Sequence, residues 1–176
     1  MDNEAELEVS RIKAVHKYKL IDTSHQHDLE DLIEVASDVC GTPVALITLI
    51  DDTTQYFKVK KGIDWHSSTR EESFCKFTIA QDSVLVIEDT LLDNRIDPNG
   101  LFAGTFGVRF YAGAPLTTPD GFHIGSLCVA NNQPQQLDAF QISCLQKLAA
   151  LAMERMEGCL NFKALEDQQE NMTEVR

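Results

Sequence analysis

Residues 108–131 read VRFYAGAPLTTPDGFHIGSLCVAN, and the fold is decided there. Two runs of strand-forming residues, 109–116 and 123–130, flank Pro119-Asp120-Gly121. Proline presets the first turn position, aspartate favours a reversal, and glycine supplies the positive φ that a tight turn needs. The stretch is therefore a long β-hairpin. Phe110, Ala112, Ala114 and Leu116 alternate with Tyr111, Gly113 and Pro115, while Ile124, Ser126, Cys128 and Ala130 alternate with Gly125, Leu127 and Val129. Neither face is polar, so both must be covered, and the hairpin belongs near the middle of a three-layer domain. Ser126 and Cys128 are smaller and more polar than a filled core would choose. Either a helix packs closely on them or a ligand cavity lies over them.

The flanking segments supply the covers. VALITLI at 44–50 is a central strand, 55–61 alternates as a strand with one wet face, and 84–88 is a further strand. SFCKFTIA at 73–80 is a short helical or turn-like segment that presents Phe74, Phe77 and Ile79 to whatever it covers. Residues 89–107 are rich in Asp, Asn and Gly, a loop of the kind that carries binding groups. Trp65, the only tryptophan, is expected to cover a core edge.

Helical spacing recurs at both ends of the chain. Ala5, Val9, Ile12, Val15 and Tyr18 form one apolar face, and Leu29, Leu32, Ile33, Ala36, Val39 and Cys40 form another. Asp138 and Gln141 make a capping box, with Leu137 and Ile142 as its hydrophobic staple. Beyond them Ile142, Leu145, Ala149, Ala152, Met156 and Cys159 repeat every three and four residues. This helix should run to about residue 168 and overhang a domain about 30 Å across. The six-residue stripe is the expected interface of a homodimer.

Composition narrows the function classes. A chain of 176 residues holds one domain with a sizeable core. A net charge of -13 disfavours nucleic acid and anionic membranes, which are bound through Lys and Arg. The acidic start lacks the basic and apolar regions of a signal peptide, and five cysteines without paired spacing suit a reducing compartment, so the expected location is cytoplasmic. His25 and His27 lack an evident third ligand, so no metal site is assigned. No phosphate loop or nucleophile elbow is present in the sequence.

YKLIDT at 18–23, TPVALITLID at 42–51, Ser73-Phe74-Cys75, RFYAGAPL at 109–116 and GSLCV at 125–129 together resemble a GAF domain. The likeness is to the subfamily at the N-terminus of bacterial sensor histidine kinases and diguanylate cyclases. It implies an α+β, PAS-related three-layer fold: a six-stranded antiparallel sheet, terminal helices on one face, and short helices and loops over a ligand cavity on the other. The expected organisation is an N-terminal helical segment at 1–22, the GAF domain at 23–157, and a helical extension with a frayed tail at 158–176. The expected ligand-binding residues are Phe74, Cys75, Ile79, Asp89, Arg95, Phe102, Arg109, Phe110, Ser126 and Cys128. Asp89, Asp93, Arg95 and Arg109 could orient a polar ligand, though such residues more often hold their loop through Asp–Arg pairs; for an anion Arg109 is the first choice, because a guanidinium binds a carboxylate or phosphate with two parallel bonds.

Departures from the family pattern shape the functional expectation. Cys75 is followed by Lys76 rather than the His of bilin-attaching members, and the Asn-Lys-x-Phe-Asp-Glu pattern of cyclic-nucleotide members is missing. The leading expectation is a non-enzymatic sensor of a small molecule that signals through helix-mediated homodimerisation, with a kinase or cyclase effector in cis or in trans. No cofactor is assigned. A dimerisation or docking module whose pocket is closed by Phe102, Phe106 and Phe110 is one alternative. A cysteine-dependent reductase of free methionine sulfoxide, using Cys75 and Cys128, is the other.

Overall fold

Thr118, Pro119, Asp120 and Gly121 form the hairpin turn: Gly121 N donates to Thr118 O at 2.9 Å, and Gly121 takes a φ of +91° that only glycine adopts freely. From this turn β5 (Phe110–Thr117) and β6 (His123–Asn131) run antiparallel in register, Gly113 opposite Cys128 and Ala114 opposite Leu127. The computed structural model describes residues 2–21 and 26–174. Before the hairpin come α1 (Asp2–Lys19), α2 (Gln26–Cys40), β1 (Val44–Ile50), β2 (Thr54–Lys61), β3 (Ser67–Thr69), α3 (Cys75–Thr78) and β4 (Leu85–Ile87). The last element is α4 (Ala139–Glu174). A 3-10 turn at Thr90–Leu92 and a π-type turn at Leu101–Thr105 structure the loop between β4 and β5.

The strands form one six-stranded antiparallel sheet in the order β3-β2-β1-β6-β5-β4. This is the expected α+β, three-layer architecture. On one face Ala45, Ile47, Leu49, Phe110, Ala112, Ala114, Leu116, Leu127 and Val129 pack against α1, α2 and α4. On the other, Leu46, Leu85, Ile87, Tyr111 and Cys128 pack against α3 and the long loop. The boundary expected between residues 22 and 23 lies outside the described residues. Val15, Tyr18 and Ile21 nevertheless belong to the sheet's own core, which joins α1 to the domain.

Two helix faces differ from their expected roles. In α4 the stripe of Leu145, Ala149, Ala152 and Met156 is buried against this chain's own sheet and α2, with Ile142 and Cys159 partly buried beside it. Leu145, Ala149, Ala152 and Met156 are thus an internal seam of the domain, because a wide apolar sheet must first be covered from within, while Ile142 and Cys159 stay partly exposed at its ends. The exposed apolar residues of α4 include Leu151, Phe162 (58%), Leu165 (60%) and Met172 (74%). In α1, Val9 and Ala5 face outward, and the buried line runs through Arg11, Val15 and Tyr18.

Arg11, 6% exposed, replaces the apolar anchor the helical pattern suggested. Its guanidinium donates to Ile50 O at 2.6 Å and Asp51 O at 3.3 Å, and to both carboxylate oxygens of Glu8 at 2.8 Å. Arg70 reaches the same place, donating to Asp51 O at 2.9 Å and to Glu8 at 2.6 Å. The start of α4 is capped as expected: Gln141 N donates to Asp138 Oδ1 at 2.8 Å, and Asp138 N to Gln141 Oε1 at 2.9 Å. The helix continues to Glu174, six residues past the expected end, and spans roughly 54 Å.

Candidate functional site

Strand alternation places Leu46 and Thr48 of β1, Ser126 and Cys128 of β6, and Tyr111 of β5 on the face away from the terminal helices. Gly113 sits beside Cys128, and a Cβ there would collide with the Tyr111 hydroxyl and crowd Thr78 Oγ1. The missing side chain lets the Tyr111 phenol lie along the strand. Thr78 Oγ1 and Tyr111 Oη are 2.7 Å apart, and the phenol then donates to Cys75 Sγ at 3.3 Å.

Cys75 is the centre of this cluster. Its Sγ receives Ser126 Oγ at 3.0 Å and Thr48 Oγ1 at 3.6 Å, and lies 3.9 Å from Cys128 Sγ. Ser73 holds the segment in place: its Oγ bonds the buried Gln55 side chain and accepts from Cys75 N at 3.0 Å. Burial pushes the Cys75 thiol up, but Cys128, Ser126, Tyr111 and Thr48 donate to its thiolate and bring it below the ordinary thiol value. The bond to Cys75, burial and the charge next door push Cys128 the other way. The hydroxyls of Ser126, Tyr111 and Thr48 thus favour negative charge on Cys75.

Beside α3 opens a cavity of about 420 Å³ between sheet and lid. That is within the size range of sites for small organic molecules. Val44, Leu46, Cys75, Tyr111 and Cys128 contribute to its floor, and Ile63, Trp65, Phe74, Phe102, Phe106 and Val108 to its walls. The aromatic rings form a continuous path. Trp65 meets Phe106 edge-to-face at 4.4 Å, Phe106 meets Phe102 at 5.9 Å, Phe102 meets Phe74 at 5.7 Å, and Phe74 meets Tyr111 at 5.6 Å. At the outer end Trp65 and Phe106 are 40% and 41% exposed, so the path runs from solvent to the thiols. Gln55, Asp64, Asn131 and Asn132 supply side-chain polarity, and among the described residues no Lys or Arg lines the cavity.

Of the expected binding residues, Phe74, Cys75, Phe102 and Cys128 meet in this cavity, and the others lie elsewhere. Ser126 is fully buried beneath α3, bonded to Cys75. The two alternatives for the hairpin face are therefore both realised, with a helix on Ser126 and a cavity at Cys128. Phe110 points to the terminal helices, because it falls on the opposite parity of β5 from Tyr111. Ile79 is buried at the end of α3 and stands outside the cavity lining. Arg109 cannot offer its fork to an anion in this arrangement: it donates to the two oxygens of Asp89 at 2.9 and 2.7 Å. That pairing holds the Asp89 carboxyl below its usual range. Arg95 is likewise paired with Asp93, at 2.9 and 2.5 Å, in a separate groove along the β4 edge that Asp89 also lines.

The sequence reading missed Tyr111, Trp65 and Gln55. Tyr111 carried a readable signal, a phenol two residues before a strand glycine that could make room for it. Trp65 was assigned to a core edge, whereas it lines the cavity mouth. His25 lies outside the described residues, and His27 Nδ1 contacts Glu30 at 3.1 Å. No described helix is long and apolar enough to cross a membrane.

Comparison with known proteins fits this geometry. The GAF domain model matches residues 26–156. A cyclic di-GMP phosphodiesterase of Pseudomonas aeruginosa is 34% identical over 150 residues, covering 85% of this chain and 26% of the relative. The chain thus spans about a quarter of that relative's length. Among solved structures, the GAF domain of an Acinetobacter phosphoenolpyruvate-protein phosphotransferase superposes with a TM-score of 0.65 at 16% identity, covering 89% of this chain and 97% of that one. A free methionine-R-sulfoxide reductase from Neisseria meningitidis, solved with its substrate, superposes with a TM-score of 0.62 at 16% identity, covering 88% and 89%. At such identities the two structures share the fold alone.

Proposed function

Since the chain belongs to the GAF domain family, whose members are typically small-molecule sensory and regulatory modules, we propose that it is a non-catalytic sensor of a small, largely apolar molecule that is uncharged or cationic. The observation that carries this reading is the aromatic-walled cavity of about 420 Å³, with Asp64 as a carboxylate in its lining and no Lys or Arg there among the described residues. An anion entering such a space would lose its hydration without a counter-charge. Phe110 faces the other way, so the phenylalanine filling that a closed module would require is incomplete.

The output is a second copy of the chain and, through it, a second-messenger or kinase effector. Leu151, Leu165 and Met172 recur at multiples of seven along α4, with Phe162 between them, and all four are exposed. This spacing suits a helix-to-helix seam beyond the domain. The relative from Pseudomonas, a phosphodiesterase of which the chain matches a part, supports attachment to an enzyme of cyclic di-GMP metabolism.

A thermal-shift screen of neutral, cationic and anionic metabolites tests the reading. A ligand of the folded state raises the melting temperature, and it quenches or shifts the fluorescence of Trp65. Val108→Phe, which fills part of the cavity and leaves Trp65 as the one fluorophore of its kind, weakens both signals. Binding confined to anions, or unaffected by Val108→Phe, would overturn the assignment. The proximity of Cys75 and Cys128 favours one second reading, reduction of free methionine sulfoxide. Turnover of that substrate with a thiol reductant, lost in Cys75→Ser, would establish it in place of the sensor.

A further inference from the structure

We propose that Cys75 and Cys128 form a hydroperoxide-responsive thiol pair that closes to a disulfide and ties α3 to the central sheet. This chemistry requires no ligand in the cavity and stands apart from the sensory reading. Three observations carry it. The two sulfurs, one on α3 and one on the central sheet, are already neighbours at 3.9 Å. Both line the cavity although each is buried within the fold, so a small neutral oxidant that enters the cavity past Trp65 and Phe106 meets them. Three hydroxyls converge on Cys75, from Thr48, Tyr111 and Ser126, more than a small core hydrophobe would gather.

The arrangement sorts the two thiols into different roles. Cys75, with its thiolate stabilised by the hydroxyls, attacks the terminal oxygen of the hydroperoxide. The O–O bond breaks, the alcohol or water leaves with a proton, and Cys75 becomes a sulfenic acid. Cys128 then attacks the Cys75 sulfur; the S–O bond breaks, and the oxygen departs as water with the Cys128 proton. Two thiols and one hydroperoxide yield one disulfide, one alcohol or water, and one further water, with two electrons passing from sulfur to peroxide. Tyr111 is a positioning residue in this step, itself held by Thr78.

The test is hydrogen peroxide added to the full chain, followed by peptide mapping without reductant. The expected product is a Cys75–Cys128 linkage that dithiothreitol reverses. In Cys128→Ser the reaction stops at a Cys75 sulfenic acid that dimedone traps, and in Cys75→Ser neither product forms. Tyr111→Phe keeps the ring and slows the reaction about tenfold at pH 7, with its pH profile moved upward. Cys75 left as a free thiol after peroxide treatment, or a linkage that instead joins Cys40, Cys144 or Cys159, would overturn the proposal. Should the serine variants fail to fold, the peptide map of the unmodified chain alone still separates these outcomes.

Discussion

A single absent methyl group sets the chemistry of the cavity floor. Gly113→Ala puts a Cβ where the Tyr111 hydroxyl lies, so the phenol must leave Cys75 or the strand must shift. Overpacking of this kind costs about 1–3 kcal/mol, and urea denaturation should register it together with slower alkylation of Cys75. Glu8 offers a residue-scale test of a different sort. Arg11, against the opposing effect of burial and with help from Arg70, holds its carboxyl down to about 2 from an ordinary 4.5. A carboxyl depressed in the folded state stabilises the fold above the unfolded value and loses that contribution as pH falls through the folded one. The stability gap between the unmodified chain and Glu8→Gln should therefore be full near pH 6 and shrink from about pH 4.5 towards 2, as urea midpoints along that range would show.

Among the elements, α4 covers the sheet with one part of its length and exposes apolar residues along the rest. Met156→Ala empties a site that is 1% exposed and should lower stability by about 2–5 kcal/mol. Leu165→Ala touches no core and should leave the urea midpoint unchanged while weakening self-association in analytical ultracentrifugation. Asp138→Ala removes the reciprocal cap and should cost about 1 kcal/mol. That cap was legible because it depends on residues three apart. So was the hairpin, whose turn chemistry and alternation are local. The buried stripe of α4 was legible as a stripe, but its partner was not: helical spacing shows which residues share a face and is silent on whether a sheet or a second chain covers it. Asp–Arg pairing in the long loop was legible as a type, since aspartates and arginines at strand ends more often tie a loop than hold a ligand; that Arg109 takes Asp89 and Arg95 takes Asp93 is fixed by the fold. Arg11 was unreadable because its partners include backbone carbonyls far along the chain.

For the molecule as a whole, terminal helices fill one side of the sheet and a lid with a cavity occupies the other. A sheet packed on both faces is stiff, and its close-packed interior passes strain on rather than absorbing it. Around its edge there is another course. Ser73, which positions Cys75, donates its backbone N–H to Arg70 O at 3.1 Å, and the Arg70 guanidinium grips Glu8 on the helix behind the sheet. The lid and the N-terminal helix are thus hitched by one arginine in the manner of a rope over a pulley, with the turn at Asp51 as the wheel. A displacement of the lid would be handed on to α1. Hydrogen exchange in α1 should respond to cavity occupancy in the unmodified chain and fall silent in Arg70→Ala.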